Sequence, residues 1–126
     1  MANFRKNIDL EFTSLDFYDN YVISRFREDV VLGPTELQEL IKACVEQFDS
    51  NRFVYISKRE KNYNVIPTIY LNLKEEIQNL RGIAIVTNRS STISMAKFEQ
   101  KFSKVPYEIF QEMEEAIKWA EKQVKK

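Results

Sequence analysis

GPTELQELIKACVEQFDSNRFVYIS, residues 33–57, sets a helical period directly against a dense run of β-formers, and that junction decides the fold class. Pro34 follows Gly33, and proline suits a first helical position because its fixed φ is already helical and its missing N–H would find no partner there. From Leu37, the residues Leu40, Ile41, Cys44, Val45 and Phe48 follow at offsets of 3, 4, 7, 8 and 11, which is one apolar stripe at 3.6 residues per turn. Asp49-Ser50-Asn51 supplies a turn, and Phe53 to Ser57 then reads as a strand buried at the centre of a sheet. A helix feeding a buried strand is the unit of an α/β sheet.

Toward the C-terminus a polar connection, Lys58 to Asn64, leads to Pro67, after which Ile69, Leu73, Ile77 and Leu80 fall at helical spacing, weakened by Asn72 and Asn79. Gly82 either ends this helix or begins the next strand, and Ile83 to Thr87 is a second continuous apolar run. Ser90-Ser91-Thr92 offers N-caps for a helix to about Phe102, with Met95, Phe98 and Phe102 along one side, and Lys104-Val105-Pro106 breaks it. Tyr107 to Phe110 reads as a short edge strand. Phe110, Met113, Ile117, Ala120 and Val124 define a closing helix, with Glu114/Lys118 and Glu121/Lys125 pairs along it and Trp119 shielding its packing surface.

Toward the N-terminus, Ile8, Leu10 and Phe12 alternate with acids, and Asp19-Asn20 separates Leu15–Tyr18 from Tyr21–Phe26 in the manner of a tight hairpin. The order predicts an α/β fold: a mixed β-sheet with an N-terminal antiparallel hairpin and about four helices, in one domain spanning 1–126.

Composition excludes many chemistries. The 126 residues hold 19 basic and 19 acidic side chains, so no global positive field favours nucleic acid. Nine phenylalanines and six tyrosines lack the glycine-containing aromatic motifs of RNA-binding sheets, and most sit in core periodicities. The absence of histidine removes the His-dependent metal motifs and the Ser-His-Asp triad. A single cysteine, Cys44, sits within the apolar stripe and reads as an inert core thiol. Two glycines in all leave no phosphate-cradling loop. Glu108, Glu112, Glu114 and Glu115 suit a helix N-terminal turn without invoking catalysis. No cofactor is expected. Charges fill the segment where a signal peptide would be apolar, so the expectation is a cytoplasmic protein without membrane insertion.

Two loops carry the candidate chemistry. Thr87 to Thr92 joins a buried strand to a helix, where Arg89, Ser90, Ser91 and Thr92 offer a guanidinium, hydroxyls and free N–H groups to an anion. Residues 81–104 hold Arg81, Arg89, Lys97, Lys101 and Lys104 against Glu99 alone, a local charge of +4. Arg89, Lys97 and Lys101 with the 90–92 hydroxyls therefore form either a solvated basic face with ordinary caps or a surface for an anion or an acidic partner. Lys58, Arg59, Lys61 and Tyr63 form the second loop, read either as a plain polar connection or as a contact surface with Tyr63 exposed.

The stretches YVISRFRED, TELQELIKACVEQF, FVYISKR, GIAIVTN and PYEIFQEMEEAIKWAEK, in this order, resemble the STAS domain superfamily and within it the SpoIIAA-like group. The ending, with Ala116 and Trp119, and the FVYIS strand are also similar to small uncharacterised proteins of flavobacterial type from Bacteroidetes. The resemblance implies a nonenzymatic regulatory or scaffolding module that binds a protein partner; a homodimer is a separate alternative. In the anti-sigma factor antagonists of that superfamily a serine or threonine in an Asp-Ser-(Ser/Thr)-Gly-like loop, at the start of the helix after a central strand, is phosphorylated. Here the equivalent stretch is SKREKNYNVIPT, in which Ser57 and Thr68 do not match the pattern, so no phosphosite carries over. The alternative reading is a protein that binds a small molecule or anion, or a weak or uncharacterised enzyme, with its site near the 87–92 strand-to-helix loop.

Overall fold

The computed structural model describes residues 3–126. Strands β1 (Phe4–Asp9), β2 (Thr13–Tyr18) and β3 (Tyr21–Phe26) form an antiparallel meander. A short β4 (Val31–Leu32) leads to α1 (Pro34–Phe48) and central strand β5 (Phe53–Lys58). There follow β6 (Asn64–Val65), a 3-10 turn (Pro67–Tyr70), α2 (Leu73–Glu76), β7 (Leu80–Val86), α3 (Ser90–Gln100), β8 (Tyr107–Phe110) and α4 (Met113–Gln123). The main sheet has the order β1-β2-β3-β5-β7-β8, with β3, β5, β7 and β8 parallel, while β4 and β6 pair separately. It is the mixed sheet, opened by antiparallel strands and covered by four helices, that the element order implied.

Side-chain alternation assigns each face of the sheet its own core. Leu15, Phe17, Val22, Phe53, Ile83 and Ile85 point to the face covered by α1, the 67–76 segment and α3. Tyr21, Ile23, Val54, Ile56, Ala84 and Val86 point to the other, where Ala116 and Ala120 of α4 pack. With both faces covered, β5 and β7 lose the polar alternation of a half-exposed strand.

The start of α1 follows from its sequence: Pro34 occupies the first turn, and the Glu36 carboxylate accepts a hydrogen bond from the Gly33 N–H at 3.0 Å. Leu40, Cys44 and Phe48 are buried along the stripe, whereas Val45 at its margin is exposed. The Cys44 thiol is pushed up to about 12 by burial, as expected of an inert core residue.

Two local expectations are corrected. Ile8 to Phe12 is not one strand: β1 stops at Asp9, and the Arg27 guanidinium donates to the Leu10 and Glu11 carbonyls at 2.7 and 2.8 Å, holding the turn. The 69–80 helix is also broken. Pro67 starts only a 3-10 turn, α2 is one turn long, and Asn79 leaves the helical path to donate to the Asp49 and Asn51 carbonyls, so that Leu80 already belongs to β7.

Gly82 lies inside β7 because α4 lays Trp119 on it. A Cβ at this position would approach the Trp119 ring to 2.7 Å. G82A is therefore expected to lower stability by about 1–3 kcal/mol. In a double-mutant cycle by chemical denaturation, W119F should cost less in the G82A background than in the parent chain; strict additivity would show that the ring contact is not the cause.

Candidate functional site

Both candidate loops leave the C-terminal ends of parallel strands, and the structure joins them. Arg89 donates to the Asn62 side-chain oxygen at 2.7 Å and to the Glu60 carbonyl at 3.3 Å. The Arg59 N–H reaches the Val86 carbonyl at 3.0 Å, and the Asp29 N–H reaches Asn62, so the 58–64 connection is stitched to β7 and to the β3–β4 link.

Arg59 and Tyr63 depart from their expected surface positions. Arg59 is 5% exposed and Tyr63 is 7% exposed. The Arg59 guanidinium forms a two-pronged ion pair with Glu99, whose Oε2 lies 3.0 Å from Nη1, and it sits 5.0 Å above the Tyr63 ring. Glu99 Oε1 also accepts hydrogen bonds from the hydroxyls of Tyr70, at 2.8 Å, and Tyr107, at 3.2 Å. Tyr63 shares a hydrogen bond with Ser57 at 2.7 Å and stacks on Phe26. The network ties β5, the 3-10 turn, α3 and β8 together beneath the surface.

Glu99 thus accounts for the orientation of α3. Taking a carboxylate out of water requires a cationic partner, and the buried partner is Arg59. The helix therefore turns Ala96 and Glu99 inward, and Met95 and Phe98, which the sequence places on one side of it, are 41% and 54% exposed. Ser90, Ser91 and Thr92 are not N-caps. Arg89 holds the cap position without a side-chain cap bond, which places the three hydroxyl residues in the first turn, with Ser90 and Ser91 exposed and Thr92 half-buried.

Arg89, Lys97, Lys101 and Lys104 all face solvent. Among the described residues none of the four has a carboxylate within 4.0 Å. Lys58 is half-buried and pairs with Glu60 at 3.6 Å, while Lys61 is exposed. Lys58 and Lys61 line a cleft of about 230 Å³ together with Arg25, Arg27 and Glu60, and three of its four cations are already paired, Lys58 with Glu60, and Arg25 with Asp16 and Arg27 with Asp9 at 2.7 Å each. A second cavity, between α1, the 67–76 segment and the sheet, is apolar and about 50 Å³, well below the roughly 150 Å³ that admits benzene. Among the described residues no cluster of acids and cysteine is placed to hold a metal ion, and no helix is long and apolar enough to cross a membrane.

Two of the site features were legible in sequence, the 81–104 charge excess and the placement of both loops after central strands. The Arg59–Glu99 pair was not. The only signal was that Glu99 is the single acid among five cations, and nothing local shows that it points inward.

Neither a protein-family profile nor a curated protein matches the chain. Among solved structures the chain is similar to an uncharacterised protein of the DUF3478 family with a SpoIIAA-like fold from Shewanella loihica PV-4. The two superpose with a TM-score of 0.54 at 11% sequence identity, covering 95% of each chain. At that identity the likeness is one of fold.

Removing one partner of the buried pair strands a charge. E99Q keeps the shape and an acceptor for the tyrosines, yet it is expected to cost about 3–5 kcal/mol in urea unfolding, and R59M/E99Q should recover part of that loss. An E99Q chain as stable as the parent would show that the pair contributes little. The same network sets an alkaline limit. Burial, then the Glu99 charge, raises the Tyr107 hydroxyl above its ordinary 10.0; burial does the same at Tyr70 and, against the pull of Arg59, at Tyr63. Folded values above the unfolded one give stability that is complete below about pH 10 and drains away as pH rises through the folded values. Phenolate absorbance of these three residues should therefore appear together with loss of tertiary structure; titration of all tyrosines near pH 10 in the folded chain would contradict it.

Proposed function

We propose that the chain, acting as one domain over 1–126, is a nonenzymatic regulatory or scaffolding module that binds a protein partner through the cationic surface of α3 and the preceding loop. The observation that carries this reading is the separation of charge in that segment. Its one acid is buried against Arg59, while Arg89, Lys97, Lys101 and Lys104 face solvent with no carboxylate within 4.0 Å among the described residues. These four cations carry a charge of +4 by themselves, since Glu99 is neutralised by Arg59 and Arg81 lies at the far end of β7. The SpoIIAA-like fold supports a binding module, and the residue content supports one without a nucleophile–base pair of the usual kind. Arg59 and Tyr63 belong to the framework under this surface; Lys58 and Lys61 lie on its flank.

A second reading rests on the 230 Å³ cleft: an anion held by Lys61 and Lys58, close to the 87–92 loop. Inorganic phosphate titrated into the labelled chain would separate the two, with shifts centred on Lys58 and Lys61 favouring the cleft.

The test of the leading reading is lysine cross-linking of the full chain in extracts of its own cells, followed by mass spectrometry. Cross-links to one partner are expected at Lys97, Lys101 and Lys104. K97E/K101E should weaken that complex by about tenfold or more and flatten its salt dependence. Unchanged affinity would overturn the assignment of this surface.

A further inference from the structure

The exposed face of α3 is not only basic. Met95 and Phe98 lie at i and i+3 on α3, and Phe102 follows in the turn just past its end, so the three form one stripe along the helix and its C-terminal turn. Met95 and Phe98 are 41% and 54% exposed, and the Phe98 ring is held edge-to-face by Phe102 with centroids 5.4 Å apart. Phe102 in turn packs against the core below. Lys97 on α3 and Lys101 at its C-cap, four residues on, run beside this stripe.

A helix that buries its glutamate and an alanine while presenting its two largest apolar residues to water inverts the usual arrangement. Departures of that kind, with the local pattern set against the fold, are where function is expected to reside. Resting on the reading of this surface as a protein-binding one, we infer that α3 docks an acidic amphipathic helix of a partner protein. That helix would lay aliphatic or aromatic residues at helical spacing along Met95, Phe98 and Phe102 and set Asp or Glu opposite Lys97 and Lys101. The charge argument is direct, since the lysines beside the stripe have no carboxylate within 4.0 Å among the described residues. The geometric argument is preorganisation: Phe98 is already held by Phe102, so little side-chain freedom is lost when it becomes an anchor. An anionic membrane would use the same lysines, but a bilayer gains nothing from a fixed ring, and two exposed apolar side chains are a shallow footing for insertion.

The experiment selects from a displayed library of helical peptides against the full chain. Apolar residues are placed at helical spacing in the library, and Glu, Lys or Ser vary elsewhere. The expected winners are rich in Glu. They should lose about tenfold or more in affinity against M95S/F98S and against K97E/K101E, with Glu-to-Lys versions regaining binding to K97E/K101E. Both variants change exposed residues and should keep Tm within about 3 °C of the parent, which guards against loss of fold. Winners without acidic excess, no winners at all, or full binding by M95S/F98S would overturn the inference. So would binding to vesicles of about 30% phosphatidylserine that M95S/F98S abolishes while no peptide competes. The cross-linked partner keeps the two readings apart. If K97E/K101E releases it and M95S/F98S does not, the cationic surface stands and the apolar docking falls; if neither variant releases it, both fall.

Discussion

The ion pair between Arg59 and Glu99 is the constraint on which the upper half of this structure depends. It lies where the end of β5, the 3-10 turn, α3 and β8 converge, and each element contributes a group to it: Arg59, Tyr70, Glu99 and Tyr107. An ion pair so buried gives a modest net stabilisation when made and a large penalty when half removed, so its effect is to select one arrangement of these elements. A rotated α3 would leave both a carboxylate and a guanidinium without partners. The aromatic groups extend that selection, because Tyr63 lies under Arg59 and stacks on Phe26, linking the same centre to β3.

The surface follows from that core. With Glu99 drawn in, the charges left on the outer side of α3 and its C-cap are all cationic, and Met95 and Phe98 emerge because the inward positions are taken by Ala96 and Glu99. A charge buried on one side of a helix thus determines both the sign and the apolar content of its other side. Arg89 connects this face to the 58–64 loop through Asn62, so the two loops following the central strands form one continuous edge.

Where the sequence was read correctly, the signal was short-ranged and backed by packing. The α1 stripe from Leu37 to Phe48, the turn at Asp19-Asn20 and the runs Phe53–Ser57 and Ile83–Thr87 each carry their signal within a few residues, and, Val45 apart, the stripe and the runs turn to the interior of the fold. The reading failed where a polar side chain had a distant use. Asn79 holds the Asp49–Asn51 turn and so ends the apparent 69–80 helix, and Arg27 fixes the turn after β1.

Residue order alone determined the alternation of strands and helices, the hairpin at the start, the absence of histidine and phosphate-loop chemistry, and the cluster of positive charge in 81–104. Periodicity suffices for these because it is a property of neighbours along the chain. Which face of α3 turns inward was decided only in three dimensions. Its apolar stripe and its single acid compete for the inside, and the outcome rests on an arginine 40 residues earlier that no local pattern connects to it. The competition is settled by electrostatics, since exposing two apolar side chains costs less than leaving a buried guanidinium without its carboxylate.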